Sequence, residues 1–119
     1  MHSMRVEQEG RTTVVHAEGE LDAYAASDIQ ATFEVLPRGS PVVADLSRVT
    51  FLDSTALGLF IKAVRTLTGS GVEVRVILPT TSARRIFQIT KLDSVLPVCA
   101  SRSEALAELS RRDHSDGLS

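Results

Sequence analysis

Apolar and polar residues change their period several times along the chain, and each change marks a predicted element. Residues 4–8 and 12–19 are two short runs separated by Glu9, Gly10 and Arg11, a glycine-containing turn that predicts an antiparallel hairpin. In the second run Val14, His16 and Glu18 alternate with Thr13, Val15 and Ala17, so one face of that strand is expected to be buried. The period then shifts. Ala26, Ile29, Phe33 and Leu36 recur at helical spacing and predict a helix over 23–36, stopped by Pro37 and Gly39. Val42, Val43, Ala44 and Leu46 follow in near-continuous sequence, the pattern of a central strand over 41–46.

Beyond a loop expected to reach Phe51 and Leu52, the spacing of Leu57, Ile61, Val64 and Leu67 predicts a helix over 54–68, closed by Gly69, Ser70 and Gly71. Residues 72–78 alternate as a strand. A helix lies between this strand and the one at 41–46, so the two are predicted to be parallel with a right-handed connection. Residues 82–91 read as a third helix, with Ser82 as its cap and Ile86 and Ile89 facing inward. A short last strand follows at 95–99. The final helix, 101–111, places Ala105, Leu106 and Leu109 on one side and opens on Ser101, Arg102, Ser103 and Glu104, a capping-box spacing. The polar stretch 113–119 is expected to be a mobile tail. The sum is one α/β domain over 1–112: an N-terminal hairpin, then βα units, with a mixed sheet of about five strands and about four helices.

Composition narrows the packing and the partners. Hydrophobic residues make up 43% of the 119-residue chain but aromatics only 4%. The core is therefore expected to rest on Val, Leu, Ile and Ala, with Phe33, Phe51, Phe60 and Phe87 as its large pieces. Thirteen basic and fifteen acidic residues give a net charge of -2, and the basic face of a nucleic-acid binder is missing. No run approaches the ~18 apolar residues of a membrane helix, and the N-terminus lacks the apolar segment of a signal peptide. The single cysteine, Cys99, excludes an intramolecular disulfide and suits a reducing compartment, where a buried, inert thiol is the expectation. These features together predict a soluble cytoplasmic chain that binds neither nucleic acid nor membrane.

Catalytic motifs are lacking. The sequence holds no G-x-S-x-G elbow, no Walker A loop and no G-x-G-x-x-G after a strand. His2, His16 and His114 are scattered over a terminus, a strand and a tail, with no metal-ligand spacing. Asp22, Asp45 and Asp53 are placed to converge at one edge of the sheet, but no base or metal signal accompanies them. No catalytic residue, metal site or cofactor is expected. Residues 53–58 have a structural reading of their own: Ser54 as the helix N-cap, Asp53 as a charge matched to the helix dipole, and Gly58 as a point of close packing.

Gly19-Glu20-Leu21-Asp22 before a helix, and later Phe51-Leu52-Asp53-Ser54-Thr55-Ala56-Leu57-Gly58, resemble the two signatures of the STAS domain. Within that family the pattern is most similar to the anti-sigma factor antagonists of Gram-positive bacteria. The segment 69–76 and Ser82-Ala83-Arg84-Arg85-Ile86-Phe87 fit in order and spacing too, so the resemblance covers nearly the whole chain. It implies that Ser54, the hydroxyl directly after the aspartate, is the phosphoacceptor, with Thr55 as the second candidate. It further implies a partner-binding surface made of Asp22, Asp53, Ser54, Thr55, Ala56 and Gly58, the small residues permitting close approach.

The same resemblance implies a function. The unphosphorylated chain would bind an anti-sigma factor serine kinase of the GHKL type and release its sigma factor. Phosphorylation of Ser54 by that kinase would end binding, and a PP2C-type phosphatase would reset the chain. On this reading the protein is a monomeric binding protein and not an enzyme. The alternative is a STAS interaction module that is never phosphorylated and serves a larger regulatory or transport assembly.

Overall fold

In the computed structural model, which describes the backbone of residues 1–118 and the side chains of residues 1–110, the predicted hairpin is present. Strand β1 (His2–Glu9) pairs antiparallel with β2 (Thr12–Leu21) across Gly10, whose φ of 62° lies in the left-handed region that glycine enters freely. A 3-10 turn (Ala23–Ala25) leads into α1 (Ala26–Glu34), so the helix expected from 23 begins in a tighter geometry. Then come β3 (Val42–Leu52), α2 (Ser54–Gly69), β4 (Val74–Ile77), α3 (Arg84–Ile89), a second 3-10 turn (Leu92–Ser94), β5 (Val98–Cys99) and α4 (Arg102–Leu118). The sheet has five strands in the order β1-β2-β3-β4-β5, and every pair after the hairpin is parallel.

Helices cover both faces of this sheet. On one face Ile29 of α1, Leu57, Phe60 and Val64 of α2 and Phe87 of α3 pack on Leu21, Leu46, Leu52 and Val76. On the other, Ala105 and Leu109 of α4 close over Val14, Val43, Ile77 and Cys99. This double cover corrects the expectation for β2. Thr12 through Ala17 are all buried, because this half of the strand lies beneath helices on both faces, whereas Glu20 further along is exposed.

Four local expectations are revised. The stretch around 47–52 is strand and not loop: β3 keeps its ladder with β2 to Leu52 by means of register shifts between His16 and Glu18 and between Gly19 and Glu20. Phe51 is not a core residue but 50% exposed. At α3, Thr81 Oγ1 and not Ser82 accepts the Ala83 amide at 3.2 Å. Ile89 there faces solvent at 73% exposure while Phe87 takes the inward place. The cap of α4 is as expected, with Ser101 Oγ accepting the Glu104 amide at 3.1 Å. The α4 backbone continues to Leu118, past the 101–111 predicted. The expected mobility of 113–119 lies outside the described residues.

Candidate functional site

β2 and β3 end together. Leu21 and Leu52 are partners in the parallel ladder, and the Asp53 amide still donates to the Leu21 carbonyl at 3.1 Å. Both chains then turn into a helical segment through an aspartate in extended geometry. Asp22, at φ -109° and ψ -167°, accepts the Tyr24 amide on Oδ1 at 3.0 Å and caps the first 3-10 turn. Asp53, at φ -88° and ψ 175°, accepts the Ala56 amide on Oδ1 at 2.9 Å and caps α2. Two neighbouring strands thus deliver two capped helix starts to the carboxyl end of the sheet, side by side. Ligands of parallel sheets are commonly met at that end.

The cap of α2 differs from the one expected. Asp53 fills the N-cap position and Ser54 is the first helical residue. A carboxylate one residue past the last strand pair can reach back over the first turn, and its charge suits the helix dipole as well. Ser54 is consequently exposed, and its hydroxyl has no hydrogen-bond partner among the described residues. Thr55 beside it is exposed too. Gly58, one helical turn on, is exposed, and a Cβ built there would meet nothing within 4 Å. Close packing against the sheet does not explain that glycine.

The proposed surface residues separate in the structure. Asp22, Asp53, Ser54, Thr55 and Gly58 share one end of the molecule. Ala56 does not reach its surface: it is 0% exposed and belongs to the core, because the helix turns it toward the sheet. Asp45 does not join Asp22 and Asp53. It pairs in register with His16, lies seven residues before Leu52 on β3, and approaches His16 Nδ1 at 3.8 Å. His16 Nε2 meets Glu7 at 2.8 Å and Arg102 closes over the same group, so this histidine is a buried member of a polar network tying α4 to the hairpin.

Cys99 is buried, as anticipated. Its thiol is pushed up from 9.0 to about 11, first by burial and then by its hydrogen bond to Glu108, where Sγ donates to Oε2 at 3.0 Å. Cys99, Glu104 and Glu108 bring potential ligand atoms within 4.8 Å of one another. The thiol proton already satisfies Glu108, and Arg75 Nε donates to the same carboxylate at 3.4 Å. The group is a buried thiol held by a part-buried Glu108, with Glu104 exposed beside it. Sequence reasoning missed Tyr24 and Phe51, which are 89% and 50% exposed at the carboxyl end of the sheet. The signal for Phe51 was its place next to Leu52 in a strand, where alternate residues face opposite ways.

A hairpin followed by parallel βα units, with paired aspartate caps presenting Ser54, places this chain in the STAS domain family, whose sequence model matches residues 3–105. Among curated proteins it is similar to the anti-sigma-B factor antagonist of Listeria monocytogenes, 32% identical over 82 residues that span 67% of this chain and 72% of that one. Among solved structures it is similar to an anti-sigma factor antagonist from Mycobacterium paratuberculosis, with 27% identity, a TM-score of 0.77 and coverage of 92% and 95%. It is also similar to the anti-sigma factor antagonist SpoIIAA in its unphosphorylated form, with 25% identity, a TM-score of 0.74 and coverage of 91% and 96%. The phosphorylated form of the Bacillus protein aligns with 25% identity, a TM-score of 0.69 and coverage of 90% and 99%. Among the described residues no helix is long and apolar enough to cross a membrane.

Proposed function

We propose that this chain is an anti-sigma factor antagonist controlled by phosphorylation of Ser54. In the unphosphorylated state it binds an anti-sigma factor kinase of the GHKL type and displaces the sigma factor. Phosphoryl transfer to Ser54 ends the complex, and a PP2C-type phosphatase restores the binding form. The observation that carries this reading is the state of Ser54: exposed, first in α2, and relieved of capping by Asp53.

The physics of a phosphate at that place supports a switch without refolding. Amides at a helix N-terminus and the partial positive charge there tolerate an anion, so the scaffold accepts the group. The partner does not. A phosphoserine brings about -1.5 to -2 charges near neutral pH. One such charge ~5 Å from a partner's nucleotide phosphate or carboxylate costs roughly 3 kcal/mol at an effective dielectric of ~20. That energy corresponds to about a hundredfold in affinity. The chain itself supplies a hydroxyl and a surface; base and ATP belong to the kinase.

Intact mass of the protein purified from its own host tests the reading. A phosphatase-sensitive acidic form is expected in the wild type and not in Ser54→Ala. Wild type that carries no phosphate while its kinase is present and active would favour the unmodified interaction module instead.

A further inference from the structure

The sequence holds four Phe and one Tyr and no Trp. Phe60 and Phe87 are buried, and Phe33 meets Phe60 edge-on with ring centroids 5.7 Å apart. The two rings left over, Tyr24 and Phe51, are both exposed and both lie at the end of the molecule that carries Ser54. Single exposed aliphatic residues are ordinary on a protein surface. A chain this poor in aromatics that keeps two of its five rings exposed, both within two residues of the aspartate caps Asp22 and Asp53, calls for another cause.

The ladder places them. Glu20 and Phe51 are partners in the β2/β3 pair, so their side chains leave the same face of the sheet. Leu21 and Leu52, next along, turn the other way into the core beneath α1 and α2. Tyr24 stands on that helix-covered side, in the 3-10 turn fixed by Asp22. Phe51 thus stands two residues before Asp53 on the far face of the sheet, and Tyr24 two residues after Asp22 on the helix-covered side, where α2 also begins. Beside Phe51, Glu20 is 61% exposed, and its carboxylate meets only the N-terminal ammonium among the described residues, at 4.0 Å. A half-exposed ring with an exposed carboxylate at its register partner attracts a cation through the ring quadrupole and through charge, and the N-terminal ammonium already stands near that carboxylate.

We infer that Phe51 and Glu20 form a socket for an arginine or lysine of the anti-sigma partner, and that Tyr24, in the turn capped by Asp22, is the second anchor. This rests on the reading of the chain as an antagonist and names how it holds its partner. Aromatic side chains at the centre of an interface carry a large share of binding energy, while the residues around them chiefly exclude water. The cation is seated over the strand face, and Ser54 at the helix start is left facing the partner's nucleotide.

The test measures binding of the unphosphorylated chain, by calorimetry, to each purified GHKL-type serine kinase of its host. On the kinase that binds, Phe51→Ala and Tyr24→Ala are each expected to weaken affinity roughly 30-fold, the scale of an interface anchor. Phe51→Tyr and Tyr24→Phe are expected to stay close to wild type. Glu20→Gln is expected to weaken binding several-fold at low salt, with the gap to wild type closing at about 0.5 M salt as screening removes the charge. Thr50→Ala, an exposed neighbour, serves as the silent control, and unchanged melting temperatures show that every variant is folded. Affinities of Phe51→Ala and Tyr24→Ala within threefold of wild type would overturn the anchors and leave the antagonist reading standing. An unchanged affinity of Glu20→Gln at low salt would overturn the cation socket. Wild type that binds none of the kinases sinks both readings together.

Discussion

Asp53 accepts the amide hydrogen of Ala56 at 2.9 Å, and that bond frees Ser54 from any duty in holding α2 together. Helix capping and the proposed phosphoacceptor thereby fall on adjacent residues. Replacing Asp53 by Ala removes the cap and is expected to cost about 1 kcal/mol, a fall of roughly 4 °C in melting temperature for a domain of this size. Ser54→Ala removes no bond recorded among the described residues and is expected to melt within a degree or so of wild type. Thermal denaturation of the two variants side by side decides the matter. A larger loss for Ser54→Ala than for Asp53→Ala would return the cap to the serine.

The phosphate and its mimic follow from the same separation. Ser54→Asp places one negative charge at the start of α2, where the dipole welcomes it, so the fold should be unaffected. Partner affinity is expected to fall by tens to about a hundredfold, since an aspartate carries less charge than a phosphoserine. Thr55→Asp is the comparison, because Thr55 is also exposed but one position further round the helix. Binding curves with one kinase, for both variants, show which hydroxyl faces the partner. A stronger effect at Thr55 would move the acceptor there.

Much of this was legible in the sequence. Elements alternate because apolar periods alternate, and the hairpin, the parallel units and the α4 cap all follow from local rules that the tertiary structure does not oppose. What escaped depended on neighbours. β3 reads as ending near Leu46 because Ser47, Arg48 and Thr50 look like loop, yet the ladder to β2 absorbs them with register shifts. Ser54 reads as a cap because serine is favoured there, yet the position of the last strand pair makes Asp53 the residue that can reach the first turn. Phe51 reads as core because phenylalanine usually is, and only the pleat at Leu52 shows it leaving the sheet on the other side. Asp45, seven residues from the strand end, shows the reverse error: grouping by residue type placed it in a site that distance along β3 denies it.

Gly58 separates folding from binding in a second way. Glycine inside a helix costs roughly 0.5–1 kcal/mol relative to alanine, and here there is open space for a methyl group. Gly58→Ala is therefore expected to raise the melting temperature by a few degrees. If the bare backbone is kept for close approach of a partner, the same variant binds more weakly although it is more stable. Opposite signs in a melting curve and a binding isotherm are the expected result. A stabilised variant with wild-type affinity would remove Gly58 from the contact surface.

Cys99 allows a prediction far from that surface. Burial and the bond to Glu108 hold its thiol at about 11, against 9.0 for an unperturbed group. The folded chain therefore keeps this proton between those values while the unfolded chain releases it. Protons bound in excess by the native state make stability fall as pH rises. This contribution is complete below the unfolded value, begins to fade as the unfolded thiol ionises, and is gone above the folded value. The slope in that window is about 1 kcal/mol per pH unit for one group. Cys99→Ser keeps a donor to Glu108 that does not titrate in this range. Urea denaturation of both proteins at pH 8 and at pH 10.5 isolates the thiol from every other group that titrates there. Wild type is expected to lose roughly 1–2 kcal/mol more than the variant across the interval. Equal losses would mean that the thiol ionises as easily in the folded chain as in the unfolded one, and that Glu108 does not hold its proton.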